Sequence, residues 1–191
     1  MGTTKAAGIR GNILASSRAI AGLTAHAEAI ADIGRAMISA LRKGRKVLSA
    51  GNGGSAAEAL HLAEELVGRF NRNRRALPAI ALVADPTALT CIGNDYGFDH
   101  VFERQVEAHG QPGDILVLFT TSGRAMNLQL ALRAAKRRRL VTVALLGGDG
   151  GALKGGATHE ILLSGIATAR IQEAHQVILH LLLELVADAF A

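Results

Sequence analysis

His61 and Glu65 stand four residues apart in HLAEE (61–65), the spacing that puts two side chains on one face of a helix. An imidazole and a carboxylate delivered to one spot can move a proton to or from a bound molecule, or hold a cation. Near the C-terminus Gln172, Gln176 and His180 also step by four, on a segment otherwise given to Ile178, Leu181 and Leu182. Polar groups on such an apolar helix need partners when buried. The two sets would supply one another by meeting across a crevice. His61, Glu65, Gln172 and His180 together offer the donors of a divalent metal site of zinc type, although glutamine is an uncommon zinc ligand. The competing readings are a hydrogen-bonded core histidine at 180 and a solvated helix face at 61 and 65. His175 lies near Gln172, whereas His26, His100, His109 and His159 belong to no evident constellation and read as surface residues.

Two turns rich in glycine and hydroxyl groups accompany these helices. GNGGS (51–55) and TTSG (120–123) supply Ser55, Thr120, Thr121 and Ser122, with glycines at 51, 53, 54 and 123. Glycine lets backbone N–H groups approach a ligand closely, and oriented N–H donors at the positive end of a helix favour a phosphate. The GK[ST] ending of a nucleotide P-loop is missing. Gly51 to Ala56 does fit the loose dinucleotide pattern G-x-G-x-x-G/A, with Asp85 as a conceivable ribose acceptor. Asp85 lies further along the chain than that fingerprint expects, and the second turn would then have no role.

The elements that must position these residues are legible as alternating runs. Residues 1–45 carry apolar positions at helical spacing (Ile30, Ile33, Ile38, Leu41) and read as one or two helices ending near Lys43–Gly44. Four short apolar runs follow, at 46–50, 78–83, 114–119 and 141–146, each leading through turn residues into a helical pattern. A fifth, at 159–164, precedes the last helix. This is the signature of βαβ units and a parallel sheet. The expected fold is α/β in one domain over residues 1–191: a five-stranded parallel sheet flanked by helices in three layers, flavodoxin-like, with 1–45 as a helical segment and 46–191 as the sheet-containing core. The two turns would lie side by side at the carboxyl ends of their strands, where open α/β sheets bind ligands.

Composition supports this reading. Hydrophobic residues make up 49% of the 191 and aromatics only 3%, so the core is built from Ala, Leu, Ile and Val. The single Cys91 cannot form an internal disulfide, and no N-terminal segment has the make-up of a signal peptide, so the cytoplasm is the expected compartment. Ile178–Ala191, the most apolar stretch, is too short to cross a bilayer and is interrupted by His180, Glu184 and Asp188. The net charge of +5 comes largely from RFNRNRR (69–75) and KRRR (136–139). The second run reads as the end of a helix, where cations oppose the dipole, and the first could face an anionic small molecule. No nucleic-acid motif accompanies either, so nucleic acid is not an expected partner.

GNGGSAAEALHLAEEL (51–66), IGNDYGF (92–98), TTSG (120–123) and RIQEAHQVILH (170–180) closely resemble the phosphoheptose isomerases of the sugar-isomerase (SIS) superfamily. That resemblance implies conversion of sedoheptulose 7-phosphate into the aldoheptose 7-phosphate that begins heptose supply for bacterial lipopolysaccharide, in a homotetramer with active sites at subunit interfaces and commonly with zinc. It assigns His61, Glu65, Gln172 and His180 to the metal and catalytic cluster, with Glu65 as base and His180 as acid. It assigns Asn52, Gly53, Gly54, Ser55, Asn94, Asp95, Thr120, Thr121, Ser122 and Gln172 to the substrate. Two departures touch phosphate binding and substrate identity. Ala125 stands where the family's TSGxS has a second serine, and ATARIQE (167–173) lacks an acidic residue often found before Arg170. A related branch binds the replication initiator DnaA without catalysis and lacks the carboxylate of the HxxxE pair. Glu65 is the residue that separates the two readings.

Overall fold

All five apolar runs become strands in the computed structural model, which describes residues 2–191, with side chains from Lys5 onward. β1 (Val47–Gly51), β2 (Ala79–Ala81), β3 (Ile115–Thr120), β4 (Val141–Gly147) and β5 (His159–Leu163) pair in the order β2-β1-β3-β4-β5, every pair parallel. The edge strand β2 departs most from expectation. Its ladder to β1 covers three residues, after which Ala84 N–H donates to Ala81 C=O and turns the chain out of the sheet.

Alternation along the strands divides the core in two. Val47, Ile115, Val117, Phe119, Val143 and Leu145 point to one face, under α2 (Ala27–Arg42), α3 (Gly54–Val67) and α7 (Thr168–Phe190). Leu48, Ala50, Leu116, Leu118, Ala144 and Leu146 point to the other, under α5 (Glu103–His109) and α6 (Met126–Arg137). Strands buried on both faces need continuous apolar runs, which is how they read in the sequence.

The N-terminal segment forms α1 (Gly2–Ala21), a 3-10 turn (Gly22–His26) and α2. Gly44 stops α2 as expected, with φ +70°, a left-handed conformation that costs glycine nothing. Arg170 of α7 ties α1 down by donating to Asn12 C=O (2.9 Å). Among the described residues no helix is long and apolar enough to cross a membrane. The basic run 136–139 falls on the last turn of α6 and just beyond it, as the sequence suggests.

With β2 on one side of β1 and β3 and β4 on the other, the order of strands reverses between β1 and β3. Ligand crevices open at such a switch point, outside the carboxyl ends of the strands. Both glycine-rich turns leave the sheet there.

Candidate active site

The turn after β1 is tight. Gly53 has φ +57°, a conformation that glycine adopts without a Cβ clash, and a Cβ on Gly51 would run into the Ser55 carbonyl. The turn after β3 is held by Thr120, whose buried Oγ1 accepts from Gly123 N–H (3.1 Å), and by the Gly150 carbonyl packed against Gly123. Asn52 and Asn127 exchange amide hydrogen bonds of 3.0 and 2.9 Å and lock the two turns together. Asn127, 2% exposed, is a positioning residue that the sequence reading did not single out.

Neither α3, entered through Gly53, nor α6, entered through Ala125, has a side-chain cap at its N-terminus. At α3 Ser55 N–H and Ala56 N–H donate to Asn52 C=O and Gly53 C=O (3.0 Å each), so an anion there would meet the Gly54 N–H and the positive end of the helix, whereas among the described residues no such turn bond engages the first N–H groups of α6. The contrast is α4 (Pro86–Tyr96), where the Asp85 carboxylate accepts from Thr87 N–H (2.9 Å) and Ala88 N–H (3.0 Å). Asp85 is therefore a helix cap, which removes the ribose acceptor from the dinucleotide reading. Around these two helix ends Gly54 and Ser122 are exposed, Thr121 is half-buried and Ser55 is buried.

The polar faces of α3 and α7 do meet. His61 Nε2 lies 3.6 Å from Glu65 Oε1 and 3.9 Å from Glu64 Oε1. From α7, the Gln176 amide donates to His61 Nδ1 (2.7 Å) and to His180 Nε2 (3.0 Å). One NH2 group donating to both rings requires both of those nitrogens to be unprotonated, so His61 carries its proton on Nε2, facing the glutamates. The two imidazoles lie edge to face at 5.3 Å, and Phe70 stacks on His180 at 5.6 Å.

Gln172, expected within this cluster, sits elsewhere on α7. Its amide lies against Gly54 at the start of α3, at the mouth of the first turn, and a Cβ on Gly54 would overlap it. Gln176 is the glutamine that reaches the histidines. The spacing of four made either glutamine eligible, and only the crossing of α3 and α7 selects between them. Asn94 and Asp95 hydrogen-bond each other (2.8 Å) on the exposed end of α4.

The run 69–75 is used for structure as much as for charge. Arg74 donates to Glu65 C=O (2.6 Å) and to Leu66 C=O (2.9 Å), placing a cation at the negative end of α3. Burial pulls its guanidinium below the usual arginine range, and nearby Glu65 opposes that shift. Arg72 pairs with Asp188 (3.3 Å).

Donor atoms of His61, Glu64 and Glu65 all lie within 4.8 Å of one another, a grouping compatible with a bound cation. His180 stands across from them. Two imidazoles and a carboxylate are a donor set that zinc accepts.

An open parallel sheet with a crevice at its switch point, lined by hydroxyls, helix N-termini without side-chain caps and a His/Glu/Gln cluster, matches the SIS domain, and residues 14–147 align with that family. The phosphoheptose isomerase of Geobacter sp. (strain M21) is 53% identical over 150 residues, covering 78% of each chain. A phosphoheptose isomerase structure from Francisella tularensis superposes with a TM-score of 0.91 at 38% identity, covering 96% of this chain and 98% of that one. The Neisseria gonorrhoeae phosphoheptose isomerase structure gives 0.83 at 38% identity, with 98% of both chains covered. The chain belongs to the phosphoheptose isomerase family of SIS-domain proteins.

Proposed function

We propose that this chain converts D-sedoheptulose 7-phosphate into D-glycero-D-manno-heptose 7-phosphate, the first step of heptose supply for bacterial lipopolysaccharide, in the cytoplasm. The observation that carries the reading is the meeting of His61 and Glu65 on α3 with His180 on α7 at the carboxyl edge of the sheet. The intact His61/Glu65 pair favours the enzyme over the initiator-binding branch.

Catalysis divides between the turns and the helices. Asn52, Gly53, Gly54, Ser55, Thr120, Thr121 and Ser122 hold the phosphate end at the N-termini of α3 and α6, which carry no side-chain cap. His61 follows Gly54 by seven residues, roughly 10 Å along the helix, about the reach of an extended seven-carbon sugar from phosphate to carbonyl. Glu65 removes a proton from C1 of the ketose, and His180 protonates the carbonyl oxygen at C2, giving an enediol. A proton returns to C2 while the C1 hydroxyl loses its own, giving the aldose. Arg74 stiffens the helical turn that carries Glu65.

His61, Glu65, Gln172 and His180 are the residues that would hold zinc, Gln172 by turning from Gly54. Zinc bound there would stabilise the developing oxyanion as a Lewis acid.

The working form is a homotetramer with shared sites. Support comes from exposed Ile9, Ile13 and Leu14 on α1, and from an apolar groove of about 490 Å³ between α2 and α7 that includes Ile20, Leu23, Ile30, Leu181 and Leu185. Asn94 and Asp95, exposed on α4, complete the site of a neighbouring subunit.

The test is incubation with sedoheptulose 7-phosphate, with and without zinc, followed by NMR of the product. Aldoheptose 7-phosphate is the expected signal. None under either condition, from a folded oligomer, would overturn the proposal.

A further inference from the structure

Behind the crevice, α3 and α7 share a second polar contact. Glu58 lies one helical turn before His61, on the core face of α3, and His175 lies on the core face of α7. His175 Nδ1 is 3.8 Å from Glu58 Oε2, with the side chains 0% and 6% exposed. Neither Glu58 oxygen and neither His175 nitrogen has a hydrogen-bond partner. Around them the core is apolar: Phe119 stands edge-on to the His175 ring at 6.3 Å, and Ala59, Leu62, Ala174 and Ile178 are buried in the same cluster.

Three other buried polar side chains are satisfied. Gln105 donates to two carbonyls, Asn127 pairs with Asn52, and Asp114 accepts three hydrogen bonds. A carboxylate and an imidazole left together in an apolar core attract each other strongly and have little else to bond. At 3.8 Å the contact is an ion-pair distance, and it spans the same two helices that carry the candidate catalytic groups.

We propose that Glu58 and His175 form a buried polar pair that sets the register of α3 against α7, and so positions His61 and Glu65 opposite Gln176 and His180. Both are positioning residues, since they lie on the core faces and point away from the crevice. A directional polar contact admits one helix register where an apolar seam tolerates several. Proton transfer across the gap depends on that register. Phosphate binding at the two turns, which Asn52 and Asn127 fix independently, does not.

The link to catalysis rests on the isomerase reading, so the experiment has two readouts. In the intact protein Glu58 and His175 are both replaced by leucine, and Glu58→Gln is made as an isosteric control. Turnover of sedoheptulose 7-phosphate is measured beside the NMR signal of the Gln176 side-chain amide, which bridges the helices. The expected result for the leucine pair is a folded protein with kcat at least tenfold lower, KM within twofold of wild type, and a Gln176 amide signal moved toward that of an unbonded amide. Glu58→Gln, which keeps a polar partner for His175, should retain more than a third of wild-type kcat. If the leucine pair does not fold, Glu58→Leu alone, which removes the partner of His175, decides: a displaced Gln176 amide with lowered kcat supports the pair, and wild-type values for both contradict it. An unmoved amide signal with undiminished kcat in the leucine pair overturns the proposal. A wild-type protein inactive on the heptose phosphate would refute the isomerase reading while the amide signal still judges the pair.

Discussion

The two edges of the sheet handle buried polarity in opposite ways. At the amino edge Asp114, 1% exposed, accepts from Lys46 N–H (3.0 Å), Lys46 Nζ (2.6 Å) and Gln111 N–H (2.9 Å). Its backbone joins β1, β3 and β4 there, with Ile115 N–H on Lys46 C=O and Val141 N–H on Asp114 C=O. At the carboxyl edge two helices begin without side-chain caps, glycines replace side chains, and Glu58 and His175 lie buried without a hydrogen bond. The amino edge is where the fold is fastened. The carboxyl edge keeps donors and acceptors free, as a site for a phosphate and a proton transfer requires.

This contrast makes predictions of decreasing size. Asp114→Ala strands two backbone donors and a lysine, and should lower stability by about 3 kcal/mol in urea unfolding. Its kcat, measured on the folded fraction, should stay near wild type, because the fastened edge does not touch the crevice. Gln176→Leu should do the reverse. It removes the donor that holds the His61 and His180 rings, so kcat should fall about tenfold with the melting temperature within a few degrees of wild type.

The smallest effect lies on the outer helices. Burial raises the Glu103 carboxyl, but hydrogen bonds from Arg137 and His100 outweigh it and hold the group below the ordinary carboxylate range. Hydrogen bonds to Glu103 and Glu107 push the Arg137 guanidinium up in turn. A depressed carboxylate contributes stability that is fully present above its unfolded value and is lost as pH falls through its folded value. Glu103→Gln should therefore cost no more than about 1 kcal/mol at neutral pH, and the difference from wild type should vanish below the carboxylate range. Thermal melts across that interval measure it.

The sheet was legible because its strands are buried on both faces and so read as unbroken apolar runs. The turns were legible because glycine and hydroxyl residues between a strand and a helix have few other uses. What the chain hides is the relation between helices. Gln172 and Gln176 share a face by spacing, yet one lies over Gly54 and the other between two imidazoles. Glu58 in a run of alanines looks like any helical glutamate, and its burial follows only from the crossing of α7 over α3. Asn127 likewise gains its role from a strand order that brings residues 75 apart into contact. Asp85, which the sequence offered as a ribose acceptor, proves to be a helix cap because Pro86 starts α4 beside it.

The most direct measurement of the central claim is turnover of sedoheptulose 7-phosphate by Glu65→Gln, which keeps the shape of the side chain and removes its basicity. Turnover about a thousandfold below wild type, with an unchanged melting curve, is the predicted result. Activity within tenfold of wild type from the folded variant would show that the proton is taken elsewhere and would contradict the assignment of the crevice.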